Sequence, residues 1–128
     1  MKCIPDASFI DSSEQLAIER NIVEAVSIPV IADCDTGYGN ALNVMRTVND
    51  RERAGVAGIC IEDNVYPKRC SFYAGVRREL IPIEEHCSKI KAAKAAQIFP
   101  EFVVIARTEA LIAGWGQEEA LQRAEAYA

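Results

Sequence analysis

No stretch of this sequence approaches the roughly 18 consecutive apolar residues of a membrane-spanning helix, and Met1-Lys2-Cys3 opens no secretory signal. No membrane partner is expected, and the cytoplasm is the expected location. Basic runs are also missing: fourteen Lys and Arg against nineteen Asp and Glu give a net charge of −5, with no aromatic-interleaved basic patch. Nucleic acid is therefore not an expected partner. The five cysteines, Cys3, Cys34, Cys60, Cys70 and Cys87, are odd in number and never spaced CxxC. That argues against disulfides and zinc and for free thiols in a reducing compartment. Cys3 and Cys60 lie in apolar runs and read as small core residues. The lone histidine, His86, stands among Glu84, Glu85 and Lys89 and is expected on a solvated helix face. Low-complexity linkers are absent as well, so the half-hydrophobic composition suits one globular domain, residues 1–128.

Four strand-like runs alternate with four helix-like ones, the pattern of repeated βα units around a parallel sheet. The strands are expected at Lys2 to Pro5, Ile28 to Ala32, Val56 to Ile61 and Phe102 to Ala106. The first helix is expected from Ser13 to Val26, with Ser12 and Gln15 as a capping box and Leu16, Ile22, Val23 and Val26 as its buried face. A second, Ala41 to Ala54, stops at Gly55 in the C′ position. Pro82 suits the first turn of a third helix reaching Gln97, and a fourth starts near Gln117 and still runs at Ala128. The polar stretch from Asp63 to about Leu80 is long enough to be a lid or binding loop.

The most informative segment is Ile31-Ala32-Asp33-Cys34-Asp35-Thr36-Gly37-Tyr38-Gly39-Asn40, where an apolar strand runs into two carboxylates and a glycine-rich turn. The uninterrupted run from Ile28 to Ala32 predicts a strand covered on both faces. Its acids then fall at the carboxyl end, where parallel sheets hold their ligands. A hard divalent cation and a small anionic substrate would fit there; alternatively, the two acids open a loop and cap the next helix. The other strands also end in charge: Asp6, then Glu62 and Asp63, then Arg107 with Glu109. Carboxylates near one Arg are the composition of a metal site beside a carboxylate or phosphate clamp. Eight strands close a barrel and four are supplied here, so the chain is expected to be about half of a larger (β/α)8 TIM-type barrel. Such a half exposes strand edges and apolar faces.

Five motifs in order resemble the isocitrate lyase and phosphoenolpyruvate mutase superfamily: Ile4-Pro5-Asp6; Asp33 to Asn40; Ala54 to Gly58 with Ile61-Glu62-Asp63; Pro67-Lys68-Arg69-Cys70; and Ile105 to Ala110. Within it, Ile112-Ala113-Gly114-Trp115-Gly116 and the run from Glu119 to Tyr127 look most like phosphoenolpyruvate mutases and phosphonopyruvate hydrolases. The resemblance implies a barrel of the phosphoenolpyruvate/pyruvate-binding kind and a Mg²⁺-dependent enzyme that interconverts phosphoenolpyruvate and phosphonopyruvate. It implies Asp33, Asp35 and Glu62 as metal ligands, with Asp33 also touching substrate. Asp6 would face the reacting group, Arg107 would clamp the substrate carboxylate, and Lys68 would reach the phosphoryl oxygens. The completed barrel is expected to be a homo-oligomer.

The gating loop departs from the mutase pattern, with Asn64 in place of Lys and Cys70 in place of Asn. Cys70 resembles the KRCGH loop of carbon–carbon lyases of the methylisocitrate and isocitrate lyase type, although Ser71-Phe72 replaces the Gly-His. A thiol beside Lys68 and Arg69 would have a lowered pKa and could serve as an acid–base catalyst; the alternative is an exposed cysteine without a role. In this family a backbone group on the opening strand and a later histidine complete the site. Both lie beyond the matched residues, so a catalytically incomplete fragment is the remaining alternative.

Overall fold

The computed structural model describes residues 4–69 and 78–128. Its elements alternate along the chain: α1 (Ser12–Ala25), β1 (Ile31–Asp33), α2 (Ala41–Arg53), β2 (Gly58–Glu62), α3 (Ile83–Ala96), β3 (Val103–Arg107) and α4 (Gln117–Tyr127). The three strands form one parallel sheet in the order β1-β2-β3, as the βα pattern requires. Of the strand expected at residues 2–5, Ile4 and Pro5 carry no strand pairing, and the rest falls outside the described residues. β1 begins three residues later than expected. Pro29 has no N–H to give a ladder, and Ile28 is exposed.

Helix ends follow local chemistry. Asp11, not Ser12, caps α1, its carboxylate accepting the N–H groups of Ser13 and Glu14 at 2.8 and 2.9 Å. Asn40 and Asn43 form a reciprocal capping box on α2. Gly55 follows the last turn of α2 with φ +81°, the left-handed stop expected of it. The α1 face differs from expectation: Ile22 and Val26 are exposed, and the buried member is Glu19. Its carboxylate lies 3.0 Å from the buried Arg51 of α2, which also donates to the Ser12 hydroxyl at 2.8 Å and stacks over the Tyr38 ring.

One side of the sheet is covered and the other is open. Ala32, Ile59 and Ile61 pack with Val44, Val48, Ala93 and Phe102 beneath α2 and α3. On the opposite side Ile31, Val103 and Ile105 remain exposed, so β1 alternates rather than being covered on both faces. A helical spacing of three and four places His86, Lys89, Ile90 and Ala93 on one stripe of α3. His86, expected in solvent, is fully buried there. Its ring lies 4.5 Å from that of Tyr127 on α4, and both ring nitrogens lack a hydrogen-bond partner among the described residues.

Burial pushes the His86 pKa down to about 4 from its ordinary 6.5, with Lys89 and Arg123 acting in the same direction and Asp63 against it. The unfolded chain therefore binds the proton first, and stability falls as pH drops from about 6.5 towards 4. The expected loss across that window is on the order of 3 kcal/mol. Urea midpoints measured from pH 7 to 4 should show this slope, and His86→Phe should flatten it. An equal slope in the variant would assign the acid sensitivity elsewhere.

Candidate active site

Register decides which side chains meet. Asp33 pairs with Cys60, Cys60 with Ile105, and Glu62 with Arg107, so these five residues share the open face of the sheet. Asp33, Glu62 and Arg107 stand at its carboxyl end. Cys60 is half-buried one layer below them, facing the site rather than the core. Burial and the charge of Asp33 raise its thiol pKa.

The Asp33 to Asn40 segment turns sharply above this edge. Asp35, Gly37, Tyr38 and Gly39 all adopt positive φ, at +49°, +82°, +60° and +142°. A side chain at Gly37 would bring its Cβ within 2.4 Å of Val44 Cγ2, so only glycine fits there. The loop is held by hydrogen bonds from the Gly37 N–H to the Cys34 carbonyl at 2.8 Å, and from the Asp35 N–H to the Asp33 carboxylate at 3.1 Å. From behind, the buried Lys89 ammonium donates to the Thr36 carbonyl at 3.1 Å.

Two cations meet the acids. Lys68, on the segment after β2, places its ammonium 2.8 Å from Asp6 and in direct contact with Asp35. Its backbone N–H donates to the Ser8 hydroxyl at 3.0 Å, tying residues 6–8 to that segment. Arg107 lies 3.8 Å from both Asp33 and Glu62 and much closer to Glu109. Asp6, Asp33, Asp35 and Lys68 line one cleft of about 310 Å³. All six anticipated site residues within the described segments therefore lie along one edge of the sheet. Cys70 lies outside the described residues.

Burial pushes the Glu62 carboxyl above its usual range, against the hydrogen bond it receives from Asn64 at 2.8 Å. Burial likewise raises Asp35, opposed by Lys68. For Lys68, burial works against the ammonium, but the bonds to Asp35 and Asp6 outweigh it and its pKa lies above normal. Among the described residues no three His, Cys, Asp or Glu side chains come together as a ready metal cage. Asp35 is instead in contact with Lys68, and Arg107 stands 3.8 Å from both Asp33 and Glu62. The donor chemistry of these acids still fits Mg²⁺: all are hard carboxylate oxygens, and two are raised in pKa by burial, which favours a neutralising cation.

Asp63, grouped with Glu62 by sequence, does other work. Its fully buried carboxylate accepts from the Glu109 N–H, the Thr108 hydroxyl and the Tyr127 hydroxyl at 2.8 Å each, and from Arg123 at 3.1 Å. It fixes the β3–α4 connection, and with it the residues beside Arg107. The i,i+4 spacing of Glu119, Arg123 and Tyr127 was the available signal for half of this network.

Against known proteins, the profile of the phosphoenolpyruvate phosphomutase family matches residues 1–128. The crystal structure of phosphoenolpyruvate phosphomutase from Streptomyces platensis subsp. rosaceus superimposes with a TM-score of 0.94 at 52% identity, over 97% of this chain and 43% of that one. Phosphonopyruvate hydrolase in complex with oxalate and Mg²⁺ gives a TM-score of 0.87 at 49% identity, over 97% and 41%. The 2,3-dimethylmalate lyase of Eubacterium barkeri is 49% identical over 96% of this chain and 42% of its own length. The chain spans about two-fifths of the length of the curated relatives it matches. Family profile, sheet and motif order agree: the chain belongs to the phosphoenolpyruvate phosphomutase family, within the isocitrate lyase and phosphoenolpyruvate mutase superfamily of TIM-barrel enzymes.

Proposed function

We propose that this chain, completed to full barrel length, interconverts phosphoenolpyruvate and phosphonopyruvate in a Mg²⁺-dependent reaction. The observation that carries the reading is the division of labour between two cations at one sheet edge. Arg107 offers a planar fork matched to a carboxylate, and Lys68 offers a point charge suited to phosphoryl oxygens. Mutase, hydrolase and lyase relatives share the scaffold; the similarity from Ile105 to Tyr127 favours the mutase and hydrolase over the lyase.

In the reaction the bond from phosphorus to the enol oxygen breaks and a bond to the methylene carbon forms, leaving a ketone with no net proton or electron change. Arg107 holds the substrate carboxylate. Lys68 neutralises the phosphoryl oxygens, as a loose, metaphosphate-like transition state requires. Asp6 orients Lys68 through their 2.8 Å ion pair. Asp33, Asp35 and Glu62 would hold Mg²⁺, which when bound supplies Lewis-acid stabilisation of the enolate oxygen.

A second reading, carbon–carbon lyase, draws on the Lys68-Arg69-Cys70 sequence and on the dimethylmalate lyase relative. Phosphorus NMR separates the two. Phosphonopyruvate incubated with the completed protein and Mg²⁺ should yield phosphoenolpyruvate, and chelation with EDTA should stop the conversion. Cys70→Asn should retain much of that turnover, because a mutase needs only hydrogen-bonding capacity at this position. Total loss in Cys70→Asn, with wild-type cleavage of a methylisocitrate-like substrate, would overturn the mutase reading in favour of the lyase.

A further inference from the structure

We infer that Glu109 is the positioning residue for Arg107: it fixes the direction in which the guanidinium meets an incoming carboxylate and keeps it off the acids proposed to hold Mg²⁺. The inference rests on the reading of Arg107 as the substrate clamp. One oxygen of Glu109 accepts from Arg107 Nε at 2.7 Å and lies 2.6 Å from Nη2. This side-on grip leaves the outer N–H groups of Nη1 and Nη2 for a bidentate partner. Among the described residues Arg107 has three carboxylates within reach, and the distances rank them. Asp33 and Glu62 lie at 3.8 Å, outside hydrogen-bonding range, and Glu109 holds the guanidinium.

Glu109 can steer because it is itself anchored. Its side chain is 1% exposed, and its backbone N–H donates to the Asp63 carboxylate at 2.8 Å. The preceding residue, Thr108, binds the same carboxylate. The buried Arg78 guanidinium stands 3.7 Å from the other Glu109 oxygen and balances its charge from behind. A carboxylate fixed through its own main chain and flanked by two arginines gives Arg107 one orientation. Without it, a half-exposed guanidinium near Asp33 and Glu62 would fold onto them and neutralise the acids the metal needs.

The test uses oxalate as the probe, titrated by calorimetry into the completed protein with Mg²⁺ present. Arg107→Ala should weaken oxalate binding by about a hundredfold, to an affinity still measurable at high protein concentration. Glu109→Gln, nearly isosteric but uncharged, should weaken it at least about tenfold, and the double variant should bind no worse than Arg107→Ala alone. Such non-additivity marks action through Arg107, whereas a purely structural Glu109 would weaken both backgrounds equally. Full oxalate affinity in Glu109→Gln, with binding weakened in Arg107→Ala, would overturn the positioning role and leave the clamp standing. Unchanged binding in Arg107→Ala would remove the clamp, and the inference with it. Should Glu109→Gln not unfold cooperatively, Glu109→Asp replaces it. Its carboxylate is retracted by one methylene, so oxalate should bind several-fold more weakly, and wild-type affinity there would count against the inference.

Discussion

Asp63→Ala is expected to destabilise the fold by about 3–5 kcal/mol, the scale for removing one partner of a buried, hydrogen-bonded ion pair. Four donors converge on that carboxylate: the Glu109 N–H, the Thr108 and Tyr127 hydroxyls and Arg123. Arg123 is 3% exposed and, among the described residues, would keep only Glu119, at 2.8 Å, to offset its charge. The orphaned donors add the penalty of unmet buried polar groups. Since domains of this kind hold roughly 5–15 kcal/mol in total, the variant should unfold at a much lower urea concentration or not fold at all. Asp63→Asn keeps the shape but presents an amide N–H₂ to a cluster of donors, so it should lie between the two. A midpoint change in Asp63→Ala worth less than about 1 kcal/mol would show that the network adds little to stability, whatever its geometry.

Lys68→Met in the completed protein should lower turnover of phosphonopyruvate roughly 10²- to 10³-fold, the usual cost of losing one preorganised charge partner at a developing anion. A second measurement should move the other way. In the absence of substrate the ammonium occupies Asp35 and Asp6 and so competes with any divalent ion for Asp35. Removing it should raise Mg²⁺ affinity, by up to about fivefold on the scale of a partly exposed ion pair. Opposite signs for turnover and metal affinity would place Lys68 over the reacting group. If both fall together, Lys68 acts instead as a tie between residues 6–8 and the segment after β2.

The charged residues at the carboxyl end of the sheet were legible in the sequence because the relevant signals are local. An apolar strand ending in Asp33, or a strand ending in Arg107, announces itself within a few residues. The helix stop at Gly55 was legible for the same reason. The α1 cap was displaced by one residue because Asp11 and Ser12 are both good caps, and local composition does not choose between them. His86 stands among charged residues, a composition that reads as solvated, yet it shares the spacing of Lys89, Ile90 and Ala93 that defines the buried stripe. Asp63 could not be separated from Glu62 by sequence alone: its partners Arg123 and Tyr127 lie sixty and more residues away. Only the packing of α4 onto the end of β2 brings them within reach. The contact of Asp35 with Lys68 and the approach of Arg107 to Asp33 and Glu62 are likewise tertiary, since they depend on strand register and on where the segment after β2 crosses.

The left-handed backbone between Asp35 and Gly39 has a consequence for recognition. Asp35 and Tyr38 each carry a torsional cost of ~1–2 kcal/mol that a relaxed loop would avoid. The bonds from Lys89, the Gly37 amide and the Asn40–Asn43 cap keep the segment in that shape when nothing is bound. The entropy of arranging the acid-bearing turn is thus settled when the chain folds. A ligand bound there as proposed would meet a preorganised rim, and less of its interaction energy would be consumed in ordering the protein.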